Sequence, residues 1–408
     1  MRTFWVQSKA MSNASLAAAR PSFLAVSGAG LLSLAIAMGI GRFAFTPMLP
    51  LMVRAGSADL SLGGWLAAAN YAGYLIGALS AAHLPLTPRR MVFAALAVIV
   101  LSTAAMGLAV SPSAWLLLRF VAGVASAWAL VSTSVCCLGW FAHLARPAGA
   151  GVLYAGVGAG IALAGLYCWR AGVAGVAPAA LWLQLGGLAL AGLILVAVSM
   201  PGELVDDGAR GAAPSDTPAA RVPWDLVLAY GVLGFGYILP ATFIPVLARA
   251  VIDDPSVFGA AWPVFGLAAA VSTLFAGAVL GRFARRRVLA GCHGVMAIGC
   301  VLPVLHLSAA TVLAAALLVG GTFMVATMAG MQEARALASG GDATRALGRM
   351  TAAFAIGQMA GPVLSSALSG GARDVAGLSV ALGLGAAALL CSAVWLWRPG
   401  AVRISPAR

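Results

Sequence analysis

The stretch Gly39-Ile-Gly41-Arg42-Phe-Ala-Phe-Thr-Pro47-Met-Leu-Pro50 packs two glycines, a charge and two prolines into twelve residues of an otherwise apolar run. Glycine and proline both weaken a helix ladder, so a helix here bends and offers backbone groups to a cavity. The pattern returns as Gly234-Phe-Gly236-Tyr237 leading to Pro245. Gly39, Gly41 and Pro50 meet Gly234, Gly236 and Pro245 at one offset of 195 residues. Three matches at one offset argue for an internal duplication in which the first and seventh apolar runs are counterparts.

Outward from these two runs, apolar stretches punctuated by charge, proline or glycine fall near 22–52, 60–83, 90–110, 114–141, 148–169 and 176–199. The rest fall near 224–249, 257–281, 288–307, 310–333, 347–370 and 375–397. About 20 apolar residues cross a hydrocarbon core of about 30 Å, so twelve spans consume most of the 408 residues. Of these, 62% are hydrophobic and 9% charged, against about 25% charged in a soluble domain. Soluble enzymes, disordered chains and disulfide scaffolds are excluded on that composition. The expected fold is an all-α polytopic membrane protein with twelve transmembrane helices in two pseudo-symmetric six-helix halves, 22–199 and 224–397. A proline-rich, acidic linker over 200–223 joins them, and tails cover 1–21 and 398–408. Two parallel six-span repeats around a midplane cavity form a transporter architecture.

Lys+Arg 24 against Asp+Glu 11 leaves a net charge of +13. With the N-terminus inside, eighteen of the basic residues fall in inner segments and four (Arg54, Arg170, Arg249, Arg373) in outer loops. That asymmetry places both termini in the cytoplasm and explains the basic charge without a nucleic-acid partner. The six cysteines lie in or beside apolar runs with no CxxC spacing, and the four histidines are scattered. They read as small buried hydrophobes and interfacial side chains. With no GxxxxGK[ST] loop and no clustered ligands or nucleophiles, neither cofactor, metal nor enzyme chemistry is expected. The absence of any sizeable extramembrane domain argues against a receptor.

Arg42 and Arg119 are the two basic residues inside spans. A charge there costs about 2.5–3.5 kcal/mol on insertion scales, so it normally faces protein or water and has a partner. At about 1.5 Å per residue, both lie roughly 8–15 Å from the outer ends. All eleven carboxylates lie outside the span centres, so nothing acidic is placed to neutralise them. Arginine holds a carboxylate bidentately, which points to a small organic anion. Asn70, Tyr74 and Tyr237 are candidate hydrogen-bonding partners for it, and Phe43, Phe243 and Trp262 candidate covers for its apolar body. The alternative for Arg42 is a structural arginine held by carbonyls freed at the kink. Proton coupling would run through Glu333, near the inner end of span 10, or through the substrate's own carboxyl group, with Arg119 biasing the protonation state.

Small residues mark the helix contacts. Arg119, Gly123 and Ala127 share one face of span 4, and Gly156 and Gly160 form a small-xxx-small face on span 5. Gly357 and Gly361, followed by Pro362, do so on span 11. Span 8 ends on Gly277-Ala-Val-Leu-Gly-Arg282-Phe-Ala-Arg285-Arg286-Arg287, a basic loop whose first glycine permits a tight helix end.

On these residues the chain resembles the major facilitator superfamily over essentially its whole length. The loop after span 8 is similar to that superfamily's loop motif, with Gly281 where an Asp is usual. Its equivalent after span 2, Gly77 to His83 and Arg89-Arg90, is more degenerate. The Arg119-xxx-Gly123 pattern resembles the span-4 motif associated with proton coupling. Span 5 lacks the exporter motif's Gly-Pro, which occurs instead at Gly361-Pro362. The Gly-Ile-Gly-Arg-Phe-Ala-Phe-Thr-Pro run and Tyr154-Ala-Gly-Val-Gly-Ala-Gly160 resemble the YbfB/YjiJ group. The expected function is secondary active transport of a small solute across a plasma or bacterial inner membrane by alternating access. Its partners are the substrate, protons and membrane lipid, and the protein is expected as a monomer. Efflux of hydrophobic or cationic compounds is the alternative.

Overall fold

The computed structural model describes residues 21–81, 83–146, 148–202, 222–251, 259–337, 342–368 and 375–398. The expected tails and most of the linker lie outside the described residues. Twelve helices and no strand occur among the described residues. The first six are α1 Phe23–Arg54, α2 Leu60–Ser80, α3 Pro88–Leu108, α4 Pro112–His143, α5 Gly149–Val173 and α6 Pro178–Ser199. The second six are α7 Trp224–Val251, α8 Ala261–Arg282, α9 Arg285–Leu305, α10 Ala309–Leu337, α11 Asp342–Leu368 and α12 Val375–Trp397.

Local chemistry sets several helix starts. Ser22 accepts from the Ala25 amide at 3.1 Å, Asp59 from Leu62 at 2.7 Å and Ser111 from Ala114 at 3.3 Å, each satisfying an orphan first-turn donor. Pro88, Pro112 and Pro178 open α3, α4 and α6, where a missing N–H costs nothing. The structure corrects the turn expected at Gly277. That glycine lies inside α8 with open space where a Cβ would stand, and the chain turns at Phe283 and Ala284.

Ten of the helices are long and apolar enough to cross a membrane. The other two, α2 and α11, are diluted by Asn70, Tyr71, Tyr74 and four glycines in one and by Gln358 and Pro362 in the other. These two helices pack against each other. Their polar residues therefore face protein, and lipid never meets them.

The duplication is visible in how helices cross. A Cβ on Gly123 would strike the Asn70 carbonyl, and one on Gly320 the Phe265 carbonyl. One crossing joins α4 to α2 and the other α10 to α8, with members displaced by 197 and 195 residues. Gly160 abuts the Ala35 carbonyl of α1 in the same way that Gly357 abuts the Gly231 carbonyl of α7. Close backbone approach through small residues is how helices associate where no hydrophobic force separates them from lipid. The two halves meet along α2 and α11, along α5 and α8, and where the last turns of α1 touch α7.

The counterparts α1 and α7 depart from each other in one respect. Ala35–Phe43 of α1 is π-helical and ends in a break at Ala44, whereas α7 is α-helical from Trp224 to Val251. A π segment leaves backbone groups without their ordinary partners and is found at functional positions. In α7 the disturbance is smaller. Pro240 has no N–H for the Gly236 carbonyl, and the Cys300 thiol donates to it instead at 3.6 Å.

Candidate functional site

Arg42 occupies the π segment and is 2% exposed. Its guanidinium carbon lies 3.9 Å from the Tyr74 ring centroid, 5.1 Å from Tyr71 and 5.3 Å from Phe43. Its Nη2 donates to Oε1 of Gln358 on α11, and Gln358 Nε2 donates to the Tyr237 hydroxyl on α7. Arginine offers only donors, so the amide oxygen must face it and the amide nitrogen must face the phenol. Arg42 and Tyr237 are the counterparts of the internal repeat, and one glutamine side chain joins them.

Aromatic rings close the surroundings. Tyr237 stacks on Phe323 at 5.2 Å and on Phe354 at 5.5 Å, Phe265 stacks on Phe323 at 5.4 Å, and Trp262 stacks on Phe265 at 4.8 Å. Phe43 reaches Trp262 at 6.2 Å. A second bridge between halves joins the Tyr71 and Thr242 hydroxyls at 3.3 Å.

No carboxylate pairs with Arg42 or Arg119 among the described residues. Arg42 Nε is buried with no acceptor. Removing an ion from water costs several kcal/mol even after relaxation. A desolvated cation–π contact returns about 2 kcal/mol, and a charged hydrogen bond about 1.5–3 kcal/mol. The guanidinium is tolerable as it stands, with Nε left unpaired as it is in Arg119.

Arg119 has a different task. Its Nη1 donates to the Gly41 carbonyl at 3.3 Å and its Nη2 to the Arg42 carbonyl at 3.0 Å, and its guanidinium covers the Phe45 ring at 4.7 Å. Ser126, also on α4, donates to the Ala37 carbonyl at 2.9 Å. The arginine held by kink carbonyls is thus Arg119, and Arg42 is free of that duty. Asn70 supports the clamp by donating to the Arg119 carbonyl at 2.9 Å.

The structure brings Arg42, Tyr74 and Tyr237 together and sets Trp262 at the edge of the group. Trp262 lines a small cleft with Pro47, Pro50 and Arg54. Phe243 is buried on α7 but makes no ring contact with the group, and Pro245 lies within α7. Gly39 meets the Gly160 main chain, Gly41 faces Ser126, Gly156 meets Leu31, Gly234 meets Phe354, Gly236 meets Leu389 and Gly361 meets Ile238. Glu333 pairs with Arg285 at 3.9 Å near the end of α10, whereas Arg119 lies near the start of α4 at the opposite face of the bundle. Arg286 pairs with Asp225 at the start of α7, and Arg282 is exposed. Gln358, Tyr71, Phe265, Phe323 and Phe354 surround or extend the group around Arg42 and were not selected from the sequence. A lone amide in the middle of an apolar span was the available signal for Gln358.

A crystal structure of the nucleoside transporter NupG matches with a TM-score of 0.69 at 13% identity, covering 92% of this chain and 100% of that one. At that identity the likeness speaks for the fold alone. No curated protein matches. The family model described as "Uncharacterised MFS-type transporter YbfB" matches residues 34–396. With twelve helices, repeat-related crossings and a buried site between halves, the chain belongs to this family of integral membrane transporters within the major facilitator superfamily.

Proposed function

We propose that this transporter carries a small organic anion, an aromatic or short-chain carboxylate, by alternating access of its two halves. The observation that carries the reading is Arg42, a buried guanidinium held by aromatic faces and an amide, with no carboxylate partner among the described residues. A carboxylate supplies the missing charge and can engage two donors at once. The rings of Tyr74, Tyr237 and Phe354 supply apolar cover for its body. A lipophilic cation would meet the guanidinium at the same place, so efflux of cationic compounds is disfavoured.

Arg119 braces α1, and Glu333 sits in an ion pair remote from the site. Coupling to protons therefore runs through the carboxyl group of the cargo, which enters protonated or with an accompanying proton. We place the protein as a monomer in a plasma or bacterial inner membrane, with both termini cytoplasmic on the arginine asymmetry. The site is built within one chain.

The test is uptake into proteoliposomes of radiolabelled carboxylates set against their uncharged amides. Accumulation of a carboxylate, lost on Arg42→Gln, is the expected result. Transport of lipophilic cations with no carboxylate uptake overturns the reading.

A further inference from the structure

We infer that Gln358 is a built-in stand-in for the cargo's carboxylate: its amide oxygen occupies Arg42 when the carrier is empty and yields to the anion when it binds. The inference rests on the carboxylate reading above and adds to it a residue and a step.

Three observations support it. First, Gln358 Oε1 takes Nη2 of Arg42 while Nε of the same guanidinium stays buried without an acceptor. A single oxygen thus fills part of a fork that a carboxylate's two oxygens would fill together. Second, Gln358 is fully buried and belongs to α11, on the opposite half from α1. Arg42, Gln358 and Tyr237 form a continuous chain of hydrogen bonds across the interface between halves. Third, the stand-in is neutral. An amide dipole relieves the guanidinium less than a charge would, so an incoming carboxylate competes successfully, whereas a glutamate at this place would hold Arg42 permanently.

This arrangement has a consequence for the cycle. An alternating-access carrier that performs net transport must also reorient empty, and a bare buried guanidinium would oppose that step. Gln358 covers the charge during the empty return and leaves it when cargo arrives. Once displaced, its amide keeps only Tyr237, and the hydrogen-bonded chain between halves opens at Arg42. Gln358 is therefore a positioning residue for Arg42, and cargo exchange does not require it.

The experiment uses the full chain in proteoliposomes with [14C]benzoate as the probe, comparing net uptake with counterflow exchange. Equilibrium dialysis gives the affinity. For Gln358→Leu the expected result is net uptake reduced at least tenfold, exchange within about twofold of the parent, and benzoate bound several-fold more tightly. Gln358→Glu, which keeps the size and the oxygen, should weaken benzoate binding at least thirtyfold. Melting temperatures confirm that each variant folds. If Gln358→Leu lowers exchange, net uptake and affinity together, or if Gln358→Glu leaves affinity unchanged, the stand-in is overturned while the carboxylate reading survives through Arg42. If the parent protein binds no benzoate, the carboxylate reading fails and the stand-in falls with it.

Discussion

Arg119 donates through Nη2 to the main-chain carbonyl of Arg42 at 3.0 Å, so one buried arginine holds the backbone on which the other is mounted. The two lie at comparable depth and carry the same charge, yet their guanidinium groups address different targets. Arg119 spends Nη1 and Nη2 on the carbonyls of a π-helical turn. Arg42 turns towards the other half of the molecule.

Arg119→Lys should destabilise the protein, because an ammonium is a point donor and cannot span two carbonyls as a planar fork does. Each carbonyl left without a donor costs about 1–3 kcal/mol. Thermal or denaturant unfolding in detergent reads the loss, and unchanged melting would remove Arg119 from this role.

Arg42→Lys keeps the charge but loses the fork and the flat face against Tyr74. Carboxylate affinity should fall at least tenfold, about 1.4 kcal/mol, with little change in melting temperature. Isothermal titration of the purified variant gives both the affinity and the proportion of active protein.

Much of this was legible in one dimension. Charge is rare in spans, so it exposed both arginines, while glycines and prolines recurring at one offset exposed the duplication and the disturbed first helix. The division of labour between the arginines was not legible, because it depends on which face of α4 meets the π turn. Gln358 stood out as a lone amide in an apolar span, but its partner was out of reach: Arg42 lies 316 residues away, and nothing local to α11 marks the pairing. Gly277 misled because a glycine beside a basic run looks like a turn, whereas α8 has room to continue through it.

The crossings predict sharp differences between glycines. At Gly123 an added methyl meets the Asn70 main chain, which cannot step aside, while at Gly187 it meets open space. Gly123→Ala should cost about 1–3 kcal/mol through overpacking, and Gly187→Ala should be neutral. Folded yield by size-exclusion chromatography, with melting temperature, separates the two.

Asp225 and Arg286 form an ion pair in which the arginine is nearly buried and the carboxylate partly exposed. Asp225→Ala strands a buried charge and should cost about 2–3 kcal/mol after allowance for that exposure. Arg286→Met removes the charge itself and should cost about 1 kcal/mol or less. Equal losses in denaturant unfolding would mean that the pair is replaceable by solvent.

On the proposal that the cargo carries the proton, Glu333→Gln should leave any pH-gradient dependence of carboxylate uptake intact. Uptake driven by an imposed gradient in proteoliposomes tests this directly. Loss of the gradient response with uptake itself retained would move coupling to Glu333.

The shortfall in apolarity of α2 and α11 bears on how the chain is made. A segment leaving the translocon enters lipid according to its own transfer free energy, and these two helices have the weakest claim of the twelve. Their situations differ: α11 arrives when α7 is already present to receive Gly357, whereas α2 enters before α4 and α11, the two helices against which it chiefly packs. Gln358 is thus admitted in company, while Asn70, Tyr71 and Tyr74 must wait for α4 and α11 to cover them. Variants that weaken α4 should show themselves first as failed retention of α2 during biogenesis, and variants that weaken α7 as failed insertion of α11.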